Sequence, residues 1–111
     1  MTIRAARSIL RDLQQRLGLH EWVFHLKWGS TGEMDGLDGT VVWLPEYAQA
    51  DIRLSRIQPD AEIPRTLCHE LVHVALQGHC PHTGKYSEMQ ERGINRIVDA
   101  ILGGTTVCRI G

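Results

Sequence analysis

Five consecutive residues of this chain could do chemistry together: His69-Glu70-Leu71-Val72-His73. Their spacing is H-E-x-x-H. On a helix, side chains four apart stand one turn above the other on the same face, so two imidazoles can close on a single cation. Glu70 lies about 100° further round the helix and is placed to reach a water on that cation. Leu67, Leu71, Val74 and Ala75 form an apolar stripe behind the histidines, which would press the helix into a core. Two rings and a carboxylate on a largely buried helix need partners, and a metal would supply one. The pattern points to a zinc hydrolase site with His69 and His73 as metal ligands and Glu70 as catalytic base. A core helix carrying two incidental histidines is the plainer alternative.

A catalytic zinc keeps three protein ligands and one position for water, so a third ligand must come from elsewhere. Glu91 lies on a predicted C-terminal helix whose apolar face is Ile94, Ile97, Val98, Ile101 and Leu102. At about 100° per residue position 91 falls on that face, whereas Glu88 lies to its side. A carboxylate on a buried stripe is costly unless paired or bound to metal, which favours Glu91; two solvated carboxylates near the helix N-terminus are the alternative. His82 and His79 are the other candidates. His79 matches the outer frame of H-E-x-x-H-x-x-G-x-x-H, but Leu76 occupies the place of the turn-making glycine. Glu91, His82 and His79 all stay open on this reading.

The elements that must position these residues follow from hydrophobic period. Ile3, Ala6, Leu10, Leu13 and Leu17 recur every three or four residues and predict a helix over 2–17, ended by Gly18. From Glu21 the period becomes two. Trp22, Phe24, Leu26 and Trp28 predict a half-buried strand, with His25 on its polar face. The glycine-rich stretch 29–39 reads as a loop, and its Asp35 and Asp38 lack the spacing of a calcium loop. Thr40 to Leu44 predicts a second strand stopped by Pro45, and Ala50, Ile52 and Leu54 predict a third. The motif helix should begin around Gln58-Pro59-Asp60 with Asp60 as its N-cap, hold Pro64 in its first turn, and run to Gln77. A loop follows, then a last helix from about Tyr86 to Leu102. The expected fold is α+β: an N-terminal helix, a small three-stranded sheet, the H-E-x-x-H helix and a C-terminal helix. A single domain over 1–111 has room for them.

Composition narrows the setting. Twelve basic residues stand against 13 acidic ones, a net charge of −1, which gives no support for general affinity to nucleic acid or a membrane surface. The three cysteines, Cys68, Cys80 and Cys108, contain no C-x-x-C pair and read as free thiols of a reducing compartment. No stretch reaches the ~20 apolar residues of a membrane span, and the arginine-bearing N-terminus lacks the apolar run of a secretory signal. The expected location is the cytoplasm.

With these residues in view the chain resembles the zincin metallopeptidases. It is most similar to the small metallopeptidase-like proteins often carried by phages and prophages, which have a gluzincin-like H-E-x-x-H with a downstream Glu. The matching segments are Trp22-Val23-Phe24, residues 47–52, residues 66–74 and Glu91-Arg92-Gly93-Ile94-Asn95-Arg96-Ile97-Val98. The resemblance implies His69, His73 and Glu91 as zinc ligands and Glu70 as general base. A rival resemblance is to the SprT-like group, whose third ligand is a His followed four residues later by an aromatic. Here His82 and Tyr86 have that spacing, and residues 52–55 also match. In this chain only Thr83-Gly84 stands where that group has glycine and proline, and no zinc-ribbon segment is present.

The expected activity is zinc-dependent hydrolysis of a peptide or protein substrate. Glu70 would take a proton from a metal-activated water and deliver it to the leaving amine, with His82 or Tyr86 as a possible second electrophile. The strand Ala50–Ser55 is expected to offer an edge on which an extended substrate pairs. The alternatives are a metal-stabilised binding or regulatory module without turnover and a SprT-like DNA-associated protease.

Overall fold

The computed structural model describes residues 1–77 and 88–103, with the backbone alone at positions 31, 45, 77 and 88–91. The elements in order are α1 (Ile3–Arg16), β1 (Val23–Gly29), α2 (Thr31–Met34), β2 (Gly39–Leu44), a 3-10 turn (Pro45–Tyr47), β3 (Gln49–Ser55), a second 3-10 turn (Asp60–Glu62), α3 (Ile63–Gln77) and α4 (Glu88–Ile101). The fold is α+β, with helices packed on a three-stranded sheet. Among the described residues no helix is long and apolar enough to cross a membrane.

Helix α1 starts where Thr2 accepts a hydrogen bond from the Ala5 amide at 3.1 Å. It buries Ala6, Leu10 and Leu13 and ends before Gly18, whose φ of +68° is open to glycine at no steric cost. The turn into β1 is tied by Gln14, whose Nε2 donates to the carbonyls of Leu19 at 2.9 Å and Trp22 at 2.8 Å. The strand order is β1-β3-β2, with β1 parallel and β2 antiparallel to β3. By register, Phe24, Leu26 and Trp28 share a face with Ala50, Ile52 and Leu54 and with Val41 and Trp43, and α1 and α3 cover that face. His25 is exposed on the other face, as its place in the alternation predicts.

Four expectations change. β3 is the central strand, so Ala50–Ser55 presents no edge. Its inward residues Ala50, Ile52 and Leu54 are buried, and apolar area is removed from water most completely where neighbours stand on both sides. The glycine-rich loop contains α2, which turns Met34 into the core. Helix α3 begins at Ile63, after a 3-10 turn. Asp60 does not cap it; its carboxylate takes the Met1 ammonium at 2.9 and 3.0 Å. On α4, Ile94 and Val98 are buried but Ile97 is 38% exposed. Packing chiefly on α3, α4 needs only a narrow apolar stripe. Pro64 does fall in the first turn of α3, and Gln77 ends it.

A polar clamp joins these elements. Gln58 is buried; its Nε2 donates to the carbonyls of Asp38 at 2.8 Å and Ser55 at 3.0 Å, and its Oε1 accepts from the Thr66 hydroxyl at 2.7 Å. One side chain therefore ties the segment before β2, the end of β3 and the second turn of α3. Gln58→Ala should lower stability by about 1–3 kcal/mol, because buried partners lose their bonds. Urea denaturation measures it, and an unchanged midpoint would show the clamp to be idle.

Candidate metal and catalytic centre

Helix α3 carries the motif. Leu67, Cys68, Leu71, Val72 and Val74 are all buried, so the apolar arc is wider than the stripe of every third or fourth residue. His73 is 5% and Glu70 8% exposed, while His69 is half-buried. The four-residue spacing brings the rings together. Their centroids are 4.7 Å apart at 63°, and the two Nε2 atoms face each other at 3.0 Å. With Zn–N bonds of about 2.0–2.1 Å, two tetrahedral donors stand roughly 3.3 Å apart. The observed separation is within a few tenths of an ångström of that. Imidazole nitrogens suit zinc, copper, iron and nickel as ligands.

His69 is oriented by α4. Its Nδ1 faces Asn95 Oδ1 at 3.3 Å, and a proton on Nδ1 would complete that hydrogen bond and leave Nε2, the nitrogen toward His73, as the ligating atom. Asn95 was not singled out by its sequence, where it is one polar residue between Ile94 and Arg96. Its place four residues after Glu91 was the available signal. One turn away along the same helices, Arg65 of α3 pairs with Asp99 of α4. Positions 65 and 69 of α3 thus meet positions 99 and 95 of α4, each step of four along one helix matched by a step of four back along the other.

The third-ligand candidates have their side chains outside the described residues. Glu91 lies in α4, where only its backbone is described; His79, His82 and Tyr86 lie outside altogether. Among the described residues no group of three His, Cys, Asp or Glu side chains is assembled that could hold a metal. The described set is the histidine pair.

A cleft of about 320 Å³ opens beside the motif, lined by Leu37, Asp38, Gly39, Glu62, Arg65, Thr66, His69 and Glu70. Gly39, the first residue of β2, lies hard against α3. A Cβ there would stand 2.5 Å from Thr66 Cγ2 and 3.5 Å from Glu70 Cγ. Glycine is required for this close approach. Gly39→Val should push β2 away from α3 and cost about 1–3 kcal/mol, read as a lowered thermal midpoint. A variant as stable as the parent would contradict the contact.

Cys68 belongs to the core rather than the centre. It is a free, fully buried thiol, and burial pushes its pKa up to about 11 against the opposing pull of Arg65 and Arg16. It should resist thiol reagents until the protein unfolds. The unfolded thiol ionises first, so its contribution to stability is complete below about pH 9 and is lost as pH rises toward 11. A thermal midpoint falling over that range, and falling less in Cys68→Ala, checks the sign. Cys80 and Cys108 lie outside the described residues.

No protein-family model matches this chain, and no significant match to it is found among curated proteins or solved structures. The functional reading therefore rests on the chain's own residues.

Proposed function

We propose that this chain is a zinc-dependent peptidase with a gluzincin-like centre: His69, His73 and Glu91 hold the metal and Glu70 is the general base. The observation that carries the reading is the convergence of the two Nε2 atoms at 3.0 Å on a helix whose next carboxylate, Glu70, lines the adjoining cleft. When bound, zinc supplies Lewis acidity, lowering the pKa of a water toward ~7. With the metal bound, Glu70 would serve as the proton acceptor for the attacking water and the donor to the departing amine, in a pocket where its low exposure strengthens electrostatic effects. Asn95 keeps the His69 lone pair aimed at the site.

Support for Glu91 comes from the antiparallel ladder between α3 and α4. Arg65 meets Asp99 and His69 meets Asn95; continued by one more step, the same spacing would set position 73 opposite position 91. That register favours Glu91 over Glu88 and requires nothing of His82 or His79. The substrate side also has a concrete candidate. Among the described residues β2 is paired on one side only, and its first residue abuts Glu70, so β2 replaces β3 as the edge on which an extended peptide could add.

One experiment tests the reading at both levels. The chain should take up one equivalent of zinc in equilibrium dialysis, and the loaded protein should cleave a broad peptide library. Glu91→Ala should lose the metal, while His82→Ala and His79→Ala keep it. No uptake at micromolar zinc would end the proposal. Loss in His82→Ala instead would shift the ligand set toward the SprT-like arrangement.

The same centre would serve a metal-stabilised module without turnover, and the shielding of His73 and Glu70 favours that second reading. Uptake of zinc with a large melting shift on chelation, and no cleavage of any library member, is its signature.

A further inference from the structure

A second and larger cavity lies away from the motif. It is an open depression of about 650 Å³, lined by the start of α1, by Leu26, Lys27 and Trp28 of β1, and by Arg56, Asp60 and Ile63 around the start of α3. Its cationic lining is Arg7, Lys27 and Arg56. The carboxylate on that lining, Asp60, is already engaged by the Met1 ammonium. Arg16, Arg53 and Arg65 are paired with Asp12, Glu33 and Asp99; among the described residues Arg4, Arg11 and Arg96 are exposed and unpaired as well, but none of them lies on this lining. Among the described residues Arg7, Lys27 and Arg56 pair with no carboxylate.

Two of the three are held in place without being neutralised. Arg7 reaches the Leu26 carbonyl at 3.5 Å, and the Arg56 guanidinium lies 5.4 Å over the Trp28 ring. Both contacts lean on neutral groups and leave the charge of a planar fork uncompensated, which leaves it able to take an oxyanion. In a chain of net charge −1, this gathers uncompensated positive charge around a concavity.

We infer that this cavity is a binding site for the phosphate group of a small phosphomonoester. A lone carboxylate needs one guanidinium fork; a phosphate dianion with three terminal oxygens matches the two forks of Arg7 and Arg56. The volume lies in the range of small-molecule sites and exceeds what a bare ion fills, so the phosphate would carry an organic body. Of the apolar residues Leu26, Trp28 and Ile63 on that lining, Trp28 is half-buried and gives that body the most surface. The site is independent of the metal centre and stands whether or not the peptidase reading does.

Calorimetric titration of the full chain at low salt with phenyl phosphate, inorganic phosphate, benzoate and phenol tests it. Phenyl phosphate should bind with a Kd on the order of 0.1–1 mM, more tightly than inorganic phosphate, with benzoate and phenol weaker still. The double variant Arg7→Gln/Arg56→Gln should weaken phenyl phosphate by about tenfold or more, and Arg53→Gln, whose guanidinium is paired with Glu33, should leave it unchanged. Arg56 is exposed, so Arg56→Gln alone, expected to weaken binding several-fold, serves if the double variant fails to fold. The inference is overturned if phenyl phosphate shows no saturable binding, if benzoate, phenol or inorganic phosphate binds as well, or if the arginine variants bind like the parent.

Discussion

Replacing Glu70 by glutamine should lower peptide hydrolysis by the zinc-loaded protein by about 10²–10⁴-fold, the usual contribution of a positioned general base. The substitution keeps the shape of a side chain that lies in the buried part of α3, with its Cγ near Gly39, so the fold should tolerate it. The amide cannot take up a proton, and the histidines are untouched. Zinc content should therefore stay level while turnover collapses. Measuring both on the same preparation separates loss of chemistry from loss of metal. Equal cleavage by the two proteins would remove Glu70 from the mechanism, and with it the peptidase proposal.

Asn95→Ala should weaken zinc binding by about 10–100-fold, the range for removing an outer partner of a ligating histidine. The effect is one of orientation. Asn95 Oδ1 at 3.3 Å from His69 Nδ1 favours a proton on Nδ1 and so Nε2 as the ligating atom, and without it the ring would sample other tautomers and rotations. Asn95 is exposed, so the fold itself should change by no more than about 0.5 kcal/mol. Competition against a chromophoric chelator reads the affinity, and Asn95→Asp, which keeps an acceptor, should restore most of it. An Asn95→Ala variant that holds zinc as tightly as the parent would mean that His69 is positioned by other contacts.

Much of the architecture was legible because period and burial are coupled through local geometry. The three- and four-residue spacing of Ala6, Leu10 and Leu13 and the alternation of Ala50, Ile52 and Leu54 each describe one face of one element, and those faces are buried. Pro64 in the first turn of α3 and the stop of β2 before Pro45 follow from the missing amide of proline. The failures share a cause. Asp60 has the residue type of a cap, yet its carboxylate goes to the Met1 ammonium, 59 positions away in sequence. Met34 sits in a stretch that reads as loop because four glycines mask a single helical turn.

The sequence alone determined the local chemistry of the candidate centre. Four-residue spacing on a helix must stack His69 over His73, and that is a property of helix geometry rather than of tertiary packing. It also determined that α3 would be a core element. Only the tertiary structure decided strand order, which makes β3 central and leaves β2 as the edge beside Glu70, since pairing partners depend on contacts between segments far apart in sequence. It alone brought Asn95 to His69 and Asp99 to Arg65, two antiparallel steps of four between α3 and α4. It alone gathered Arg7, Lys27 and Arg56 from three separate elements around one cavity. The reason is common to all three: a period read along the chain fixes which residues share a face, but not which face meets which.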